Sequence, residues 1–231
     1  MARPTIFQYL KIIIAKSGMR PSRFLAFLNG TLAFGRWLRD YKAPVFLEDK
    51  FELYEYLKTE HMGDSPIDYL EFGVWKGTTL LHWCNLNTDP NSRFYGFDSF
   101  EGLPEDWGHF VTIYKKGAFD LEGSVPAIDD SRVRLVKGLF QDSLGPFLVD
   151  YAPMNRLVIH CDADLYSSTL YVLTKLDGYL IPGTIIIFDE FFTVNHEFRA
   201  FSDFISSYNH KYKVLAATEF YTQLAIEIIS N

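Results

Sequence analysis

The sequence predicts an α/β fold in which a mostly parallel sheet of seven strands carries helices on both faces, preceded by an N-terminal helical extension. Three observations support this fold class. Short apolar strands alternate with helical stretches from Asp68 onward, which is typical of parallel strands joined by crossover helices. A glycine-rich turn follows the first strand, and acidic residues follow the ends of later strands. The 231 residues are 48% hydrophobic and 17% aromatic, which is enough for a full core.

The seven strands are predicted from short apolar runs. They lie near residues 68–72, 93–98, 132–136, 156–162, 184–189, 212–217 and 222–229. The last strand alternates in polarity, which indicates an antiparallel pairing with the strand that contains Val214 and Leu215.

The N-terminal region has a different pattern. Phe24, Leu25 and Leu28 recur at helical spacing, and a second helical pattern follows Pro44. No strand signal occurs before residue 63. We therefore expect a helical extension over residues 1–62 and one domain over residues 63–231.

The charge and the cysteine content narrow the classes of partner. A net charge of -7 and a pI near 5.4 argue against nucleic acid as a partner. The apolar run 12–15 between Lys11 and Lys16 is too short for stable membrane insertion, and we expect either a cap helix or an amphipathic segment lying on a membrane surface. Two cysteines without dense spacing predict a reducing, cytoplasmic location.

The first strand ends in the pattern E-x-G-x-x-x-G, formed by Glu71, Gly73 and Gly77, with Val74 inside it and Thr78 opening a helix. Glycines let the backbone approach a ligand, and a helix N-terminus offers free amides to a carboxylate. The spacing is not that of dinucleotide folds, so a ligand smaller than a pyrophosphate is expected. A purely structural tight turn is the alternative.

Residues after the second and third strands extend this candidate site. Asp98 ends the second strand, beside Ser99, where an acid can bind ribose hydroxyls; a helix cap on Ser99 and Phe100 is the alternative. Phe140 and Gln141 are placed to contact adenine by their position in the fold alone. Together these features predict a ligand with adenosine and a tail without phosphate.

Four carboxylates follow strands four and five: Asp162, Asp164, Asp189 and Glu190. Like charges this close repel one another, so we expect a cation among them. Oxygen ligands without a Cys/His pattern favour Mg²⁺ over zinc. For Asp164 alone, a helix N-cap is the alternative.

Six glycines and prolines between Glu101 and Asp130 predict a mobile loop or lid near the site. Trp107, Phe110 and Phe119 lie in this segment, and their rings can pack against a face of an acceptor ring.

Four strings resemble the macrocin O-methyltransferase family of metal-dependent sugar methyltransferases, over about residues 65–229. They are Glu71-Phe72-Gly73-Val74 with Gly77, then 97–104 (F-D-S-F-E-G-L-P), then 162–169 (D-A-D-L-Y-S-S-T), then Asp189-Glu190.

The resemblance implies a Rossmann-like class I methyltransferase fold, S-adenosylmethionine over the glycine turn, and methyl transfer to a hydroxyl of a small molecule. It also implies Mg²⁺ bound by Asp162, Asp189 and Glu190, with Asp162 beside the methyl donor. The sequence departs from the family at Glu190, where the family has a second aspartate, and at Ala163, where it has glycine.

Catalytic roles follow from these positions as hypotheses. Asp162 is expected to bind the metal and assist proton removal, and Asp164 or His109 is the candidate base. His160 lies inside an apolar strand, where a core histidine with satisfied hydrogen bonds is favoured over a ligand.

Two other functions compete with this prediction. A D-x-D after a strand also occurs in nucleotide-sugar glycosyltransferases, although these do not need the glycine turn that precedes it here. A cofactor-binding protein without activity is the second alternative. The acceptor, a sugar hydroxyl or a catechol-like phenol, is left open, as is assembly into a homo-oligomer.

Overall fold

The structure is a computed structural model that describes residues 5–18, 22–108 and 113–230. Its strands are β1 (Phe46–Leu47), β2 (Ile67–Phe72), β3 (Arg93–Asp98), β4 (Trp107–Gly108), β5 (Ile113–Tyr114), β6 (Val133–Lys137), β7 (Arg156–Cys161), β8 (Ile185–Phe188), β9 (Lys211–Thr218) and β10 (Leu224–Ser230). The main sheet has the order β1-β9-β10-β8-β7-β2-β3-β6, and β4 and β5 form a separate hairpin. Among the described strands of the main sheet, β10 alone runs antiparallel to its neighbours.

Helices connect these strands. They are α1 (Ile6–Lys16), α2 (Arg23–Asp40), α3 (Lys50–Leu57), α4 (Thr78–Leu86), α5 (Phe140–Asp150), α6 (Tyr166–Leu176) and α7 (Glu197–Tyr208). A π-helical turn continues α3 over Lys58–Met62, and short 3₁₀ turns cover Asp177–Tyr179 and Glu219–Tyr221.

The core is divided by the sheet into two layers. Successive strand residues point to opposite faces, so Tyr69 packs in one layer and Leu70 in the other. Helices α3 and α4 cover the first face, and α5, α6 and α7 cover the second, together with Trp37 of α2. Burial on both faces explains why the parallel strands are continuous apolar runs, and it leaves the carboxyl ends of the strands as the open edge.

The predicted fold class is confirmed, including all seven strands and the antiparallel pairing of β9 with β10. The expectation that residues 1–62 contain no strand was wrong at β1, which pairs with β9 in parallel at the sheet edge. A strand of two residues, placed between Pro44 and the helix cap Asp49, is too short for any periodic signal.

The N-terminal helices and the cysteines bear on the other predictions. Ile6, Phe7 and Ile13 of α1 are exposed. Of the helices that the structure describes, none combines the length and the hydropathy needed to cross a bilayer. Cys84 and Cys161 are buried, unpaired and on opposite faces of the sheet, so the two thiols are not placed to form a disulfide.

Asp68 anchors the amino end of the sheet. Its fully buried carboxylate forms an ion pair with Arg93 and accepts hydrogen bonds from the Met154 backbone N–H and the Asn155 side chain, each at 2.9 Å. Burial alone would raise the pKa of Asp68, but the bonds from Arg93 and Met154 lower it below its usual value. Asp68 is therefore charged when the protein is folded.

We expect Asp68→Ala to lower the free energy of unfolding by about 3 kcal/mol, because it leaves a half-buried cation and several donors without their acceptor. Urea unfolding at neutral pH measures this. A lowered folded pKa stabilises the fold above the unfolded pKa of about 3.9, and this contribution is lost as the pH falls through the folded value. Asp64→Ala is the control, because Asp64 is exposed; an equal loss in both variants would contradict the account.

Candidate active site

A cavity of about 460 Å³ opens at the carboxyl ends of the parallel strands. In open α/β sheets, this is the edge at which ligands bind. Most of the residues predicted from the sequence line it: Glu71, Gly73, Val74, Thr78, Asp98, Ser99, Phe140, Gln141, Asp162, Asp164 and Glu190. Gly77 and Asp189 are not among the lining residues.

Gly73 lies where the end of β2 meets the end of β7. Its φ is +100°, and a Cβ at this position would overlap the carbonyl oxygen of Asp162. The sheet pairing continues past the strand ends here: the Asp162 N–H donates to Phe72 O of β2, and the Gly73 N–H donates to Phe97 O of β3, both at 2.9 Å. Glycine is therefore required by the close approach of two backbones, one of which carries Asp162.

Gly77 ends the same turn and caps α4 with a φ of +77°. Its N–H donates to Val74 O at 2.8 Å, which closes the turn. Thr78 and Thr79, the first residues of α4, line the cavity. The amides of a first helical turn have no partners within the helix, so this wall of the cavity is suited to a carboxylate.

Asp98 fixes the shape of this turn. Its Oδ2 accepts hydrogen bonds from the backbone N–H groups of Val74 at 2.9 Å and Trp75 at 2.8 Å, and its Oδ1 accepts from Phe100 at 2.7 Å. The Phe100 contact is the one that the capping alternative predicted, but no described helix begins there. A carboxylate has about four lone-pair sites, and these three bonds do not use all of them. Asp98 can therefore still accept a hydrogen bond from a ribose hydroxyl, and ribose binding stays a prediction.

Another wall of the cavity is formed by the start of α5 and the two residues before it. Gly138, Leu139, Phe140 and Gln141 line the cavity there. The Phe140 ring packs edge-on against Phe72, with 5.5 Å between ring centroids, so this wall is joined to the end of β2.

The acidic residues gather on one side of the cavity. Burial raises the pKa of Asp164 to about 7, with further contributions from Asp189 and Asp98. Burial raises the pKa of Glu190 to about 8, with contributions from Asp189 and Asp164. Burial and the neighbouring Asp189 also raise the pKa of Asp162 well above its usual value. The predicted repulsion among these carboxylates is present.

Asp189 differs from the other three. Burial would raise its pKa, but attraction to the nearby His160 and to the positive charge of Lys50 lowers it. The Lys50 Nζ lies 3.4 Å from Asp189 Oδ2, and the His160 Nε2 lies 3.7 Å from Oδ1. Asp189 is thus a charged carboxylate between two cationic side chains of the protein itself.

His160 is the satisfied core histidine that its apolar neighbours predict. It is fully buried, with the Tyr69 hydroxyl 2.8 Å from Nδ1 and the Tyr54 hydroxyl 3.4 Å from Nε2. Burial lowers its pKa, but attraction to the nearby carboxylates of Asp189 and Glu71 outweighs this and raises the pKa to about 9. The Tyr69 hydroxyl also donates to Glu71 Oε2 at 2.7 Å, so His160 connects the glycine turn to Asp189.

These residues fit a divalent cation in their chemistry but not in their present arrangement. The donors are carboxylate oxygens with mutual repulsion, which is the chemistry that a hard ion such as Mg²⁺ requires. Yet within residues 5–18, 22–108 and 113–230 no three His, Cys, Asp or Glu side chains are arranged as a ready-made metal site. The donor chemistry fits magnesium, and the side chains need to rearrange to bind it.

The segment predicted to be a lid borders the cavity. Trp107, Tyr114 and Phe119 line it, and Trp107 stacks on Tyr114 with 4.9 Å between ring centroids. The Phe119 ring contacts Trp75 of the glycine turn at 5.8 Å, so the aromatic rings continue from the lid to the turn. His109 and Phe110 lie outside the described residues.

The sequence analysis missed several of the lining residues. Lys50 and Phe51 come from α3 in the N-terminal extension, and Gly138 and Leu139 directly precede α5. Asp49 before an apolar helical pattern is a recognisable N-cap and could have located the start of α3. Nothing in the local sequence shows that this helix start lies at the sheet edge.

The strand order, the antiparallel β10 and the glycine turn beside an acidic edge are those of the Rossmann-like fold of class I methyltransferases. The structure is similar to the solved structure of the O-methyltransferase NovP, with a TM-score of 0.58 and 20% identity over 78% of this chain and 79% of that chain. The family can also be stated. The sequence model of the macrocin O-methyltransferase (TylF) family matches residues 51–216, and the chain belongs to this family.

Two curated relatives from Streptomyces are similar over 144 residues. One, from Streptomyces olivaceus, is 8-demethyl-8-(2,3-dimethoxy-alpha-L-rhamnosyl)-tetracenomycin-C 4'-O-methyltransferase, at 31% identity over 54% of this chain and 53% of the relative. The other, demethyldecarbamoylnovobiocin O-methyltransferase from Streptomyces niveus, is 30% identical over the same shares. The matched region therefore spans about half the length of these relatives.

Proposed function

We propose that this chain is an S-adenosylmethionine-dependent O-methyltransferase that acts on a hydroxyl of a sugar or of a natural-product-like small molecule. One observation carries the proposal: the glycine turn and the acidic residues meet at a single cavity, with Gly73 in backbone contact with Asp162. A methyl donor bound over the turn would lie beside the carboxylates that handle the acceptor proton. Family membership supports the same reaction.

The methyl donor is assigned to three parts of the cavity. Its amino-acid end lies against Glu71, Gly73 and the α4 start, where Thr78 supplies a free amide. Its ribose lies near Asp98 and Ser99, and its adenine lies near Phe140 and Gln141. The three parts of the cavity follow the neighbouring strands β2, β3 and β6 in this order. One extended ligand can therefore reach all three.

The reaction needs orientation and proton removal more than activation of the donor, because a sulfonium methyl group is already reactive. The acceptor oxygen forms a bond to the methyl carbon, the bond from carbon to sulfur breaks, and S-adenosylhomocysteine leaves. The hydroxyl proton passes to a base, for which Asp164 at the cavity wall is our candidate. Magnesium, held by Asp162, Asp189 and Glu190, would supply a positive charge that lowers the cost of deprotonation.

The acceptor class is inferred from the relatives and from the lid. The name of the Streptomyces olivaceus relative refers to a rhamnosyl compound, which favours a sugar hydroxyl. The aromatic wall of Trp107, Tyr114 and Phe119 accommodates either a sugar ring or a catechol-like ring. We propose the sugar as the first candidate and the catechol as the second.

The N-terminal extension belongs to this proposal as well. We assign residues 1–62 a role in shaping the acceptor side of the cavity, because Lys50 and Phe51 line it. The buried, unpaired thiols of Cys84 and Cys161 support our proposal that the enzyme works in the cytoplasm.

A transfer assay with a labelled methyl donor tests this function. We expect incorporation into a deoxysugar glycoside or a catechol, in the presence of Mg²⁺, and loss of incorporation with a chelator. We also expect Asp164→Asn to lower kcat by about 100-fold, because a positioned base typically contributes about 10²–10⁴ in rate. Incorporation that Asp164→Asn leaves unchanged would reject the base assignment, and a bound donor without transfer to any acceptor would favour the non-enzyme alternative.

A further inference from the structure

Lys50 lies in the first helical position of α3, and its location is fixed by the preceding residue. The Asp49 Oδ1 accepts hydrogen bonds from the N–H groups of Phe51 at 2.7 Å and Glu52 at 3.0 Å, which defines where the helix begins. The side chain of Lys50 reaches the cavity from there. A basic residue at a helix N-terminus is unfavourable for the helix dipole, so another interaction must favour this one.

That interaction is with the acidic residues. The Lys50 ammonium lies 3.4 Å from Asp189 Oδ2, and attraction to Asp189, Asp162 and Glu71 outweighs burial and raises the pKa of Lys50. Among the described residues that line the cavity, Lys50 and Lys76 are the two cationic side chains. The Lys76 ammonium lies 4.3 Å from the centre of the Trp75 ring, so of these two lysines Lys50 is the one that lies beside the acidic residues.

We propose that Lys50 is a tethered counter-cation that pairs with Asp189 and must leave this carboxylate before a divalent cation binds there. The inference rests on the proposed function, which assigns Asp189 to the metal. The inference concerns how Lys50 neutralises Asp189 and how it lowers the affinity of the site for Mg²⁺, neither of which the proposed function specifies.

The contacts of Asp189 support this competition. Its Oδ1 already has the Tyr54 hydroxyl at 3.5 Å and the Gln223 amide nitrogen at 3.4 Å, so Oδ2, which faces Lys50, is the oxygen left for an ion. Two cations at one oxygen repel each other. The Lys50 side chain is 30% exposed and has a flexible four-carbon stem, so the ammonium can move into solvent.

Calorimetric titration of the full chain with MgCl₂ tests the inference, using the wild type, Lys50→Met and Lys50→Arg. Lys50→Met keeps the length and the apolar stem but removes the charge, and Lys50→Arg retains the charge. We expect Lys50→Met to bind Mg²⁺ about tenfold more tightly than the wild type, and Lys50→Arg to resemble the wild type. Equal or weaker binding by Lys50→Met than by the wild type, or no Mg²⁺ binding by both of them, would overturn the inference.

Thermal unfolding provides a second readout that does not depend on turnover. In EDTA, Lys50→Met should have a lower Tm than the wild type, because the carboxylates lose their counter-cation, and Mg²⁺ should raise its Tm by more than that of the wild type. An unchanged Tm in EDTA would count against the inference. S-adenosylmethionine binding, measured on the same samples, separates the two proposals: its absence would reject the proposed function, while the Mg²⁺ comparison still decides the role of Lys50.

Discussion

Replacing Gly73 by alanine is expected to weaken S-adenosylmethionine binding by about 100-fold, equivalent to about 2.7 kcal/mol. The added Cβ would overlap the Asp162 carbonyl oxygen, and the residue would have to keep a φ of +100° that L-amino acids avoid. Backbone strain of this kind and overpacking each cost about 1–3 kcal/mol, so the ends of β2 and β7 must move apart. This movement would separate the turn from the acidic residues.

Calorimetric titration with S-adenosylmethionine measures this loss, on protein whose folded state is first checked by circular dichroism. Gly145→Ala is the matched control, because Gly145 lies within α5 and nothing is within 4 Å of the added Cβ. Alanine at this position should leave the affinity unchanged. An affinity of Gly73→Ala within about threefold of the wild type would show that the turn does not hold the donor.

Replacing Asp162 by asparagine should lower kcat by about 10²–10³, the usual cost of removing one preorganised electrostatic group at the reacting centre. Asp162 lines the cavity and directly follows β7, beside Gly73. The substitution is nearly isosteric, and it removes an ionisable carboxyl group whose pKa is raised by burial and by Asp189. The fold should therefore not lose stability, and in the absence of metal it should gain some.

Steady-state kinetics at saturating donor, with and without Mg²⁺, tests this expectation together with urea unfolding. Asp150→Asn is the control, because Asp150 is exposed at the end of α5 and should retain wild-type kcat. A kcat for Asp162→Asn above one tenth of the wild-type value would remove Asp162 from the reacting centre. A large loss of stability would instead assign Asp162 a structural role.

The sheet was predictable from the sequence because its strands are buried on both faces and alternate with helices, which leaves a strong local signal. Strand β1 was not, because two residues at the sheet edge have no periodicity and depend on pairing with β9. Asp98 was predicted to bind ribose, and the structure adds a function that its sequence position does not show. It accepts the backbone amides of the glycine turn from 23 and 24 residues away.

The charges around the acidic residues were also only partly predictable from the sequence. The sequence indicated that the acidic residues need a cation, since the residues are close together at the ends of two neighbouring strands. It did not indicate Lys50, which is separated from Asp189 by 139 residues. Nor did it show that His160 connects Glu71 with Asp189, because that arrangement depends on the register of β7 beside β2.

The central claim is that the cavity binds S-adenosylmethionine, and calorimetric titration of the purified chain tests it most directly. The donor and a nucleotide sugar are titrated separately, each with and without Mg²⁺. We expect S-adenosylmethionine to bind with a micromolar Kd and the nucleotide sugar to give no signal. Binding of the nucleotide sugar without any binding of the donor would contradict the account and would favour glycosyl transfer.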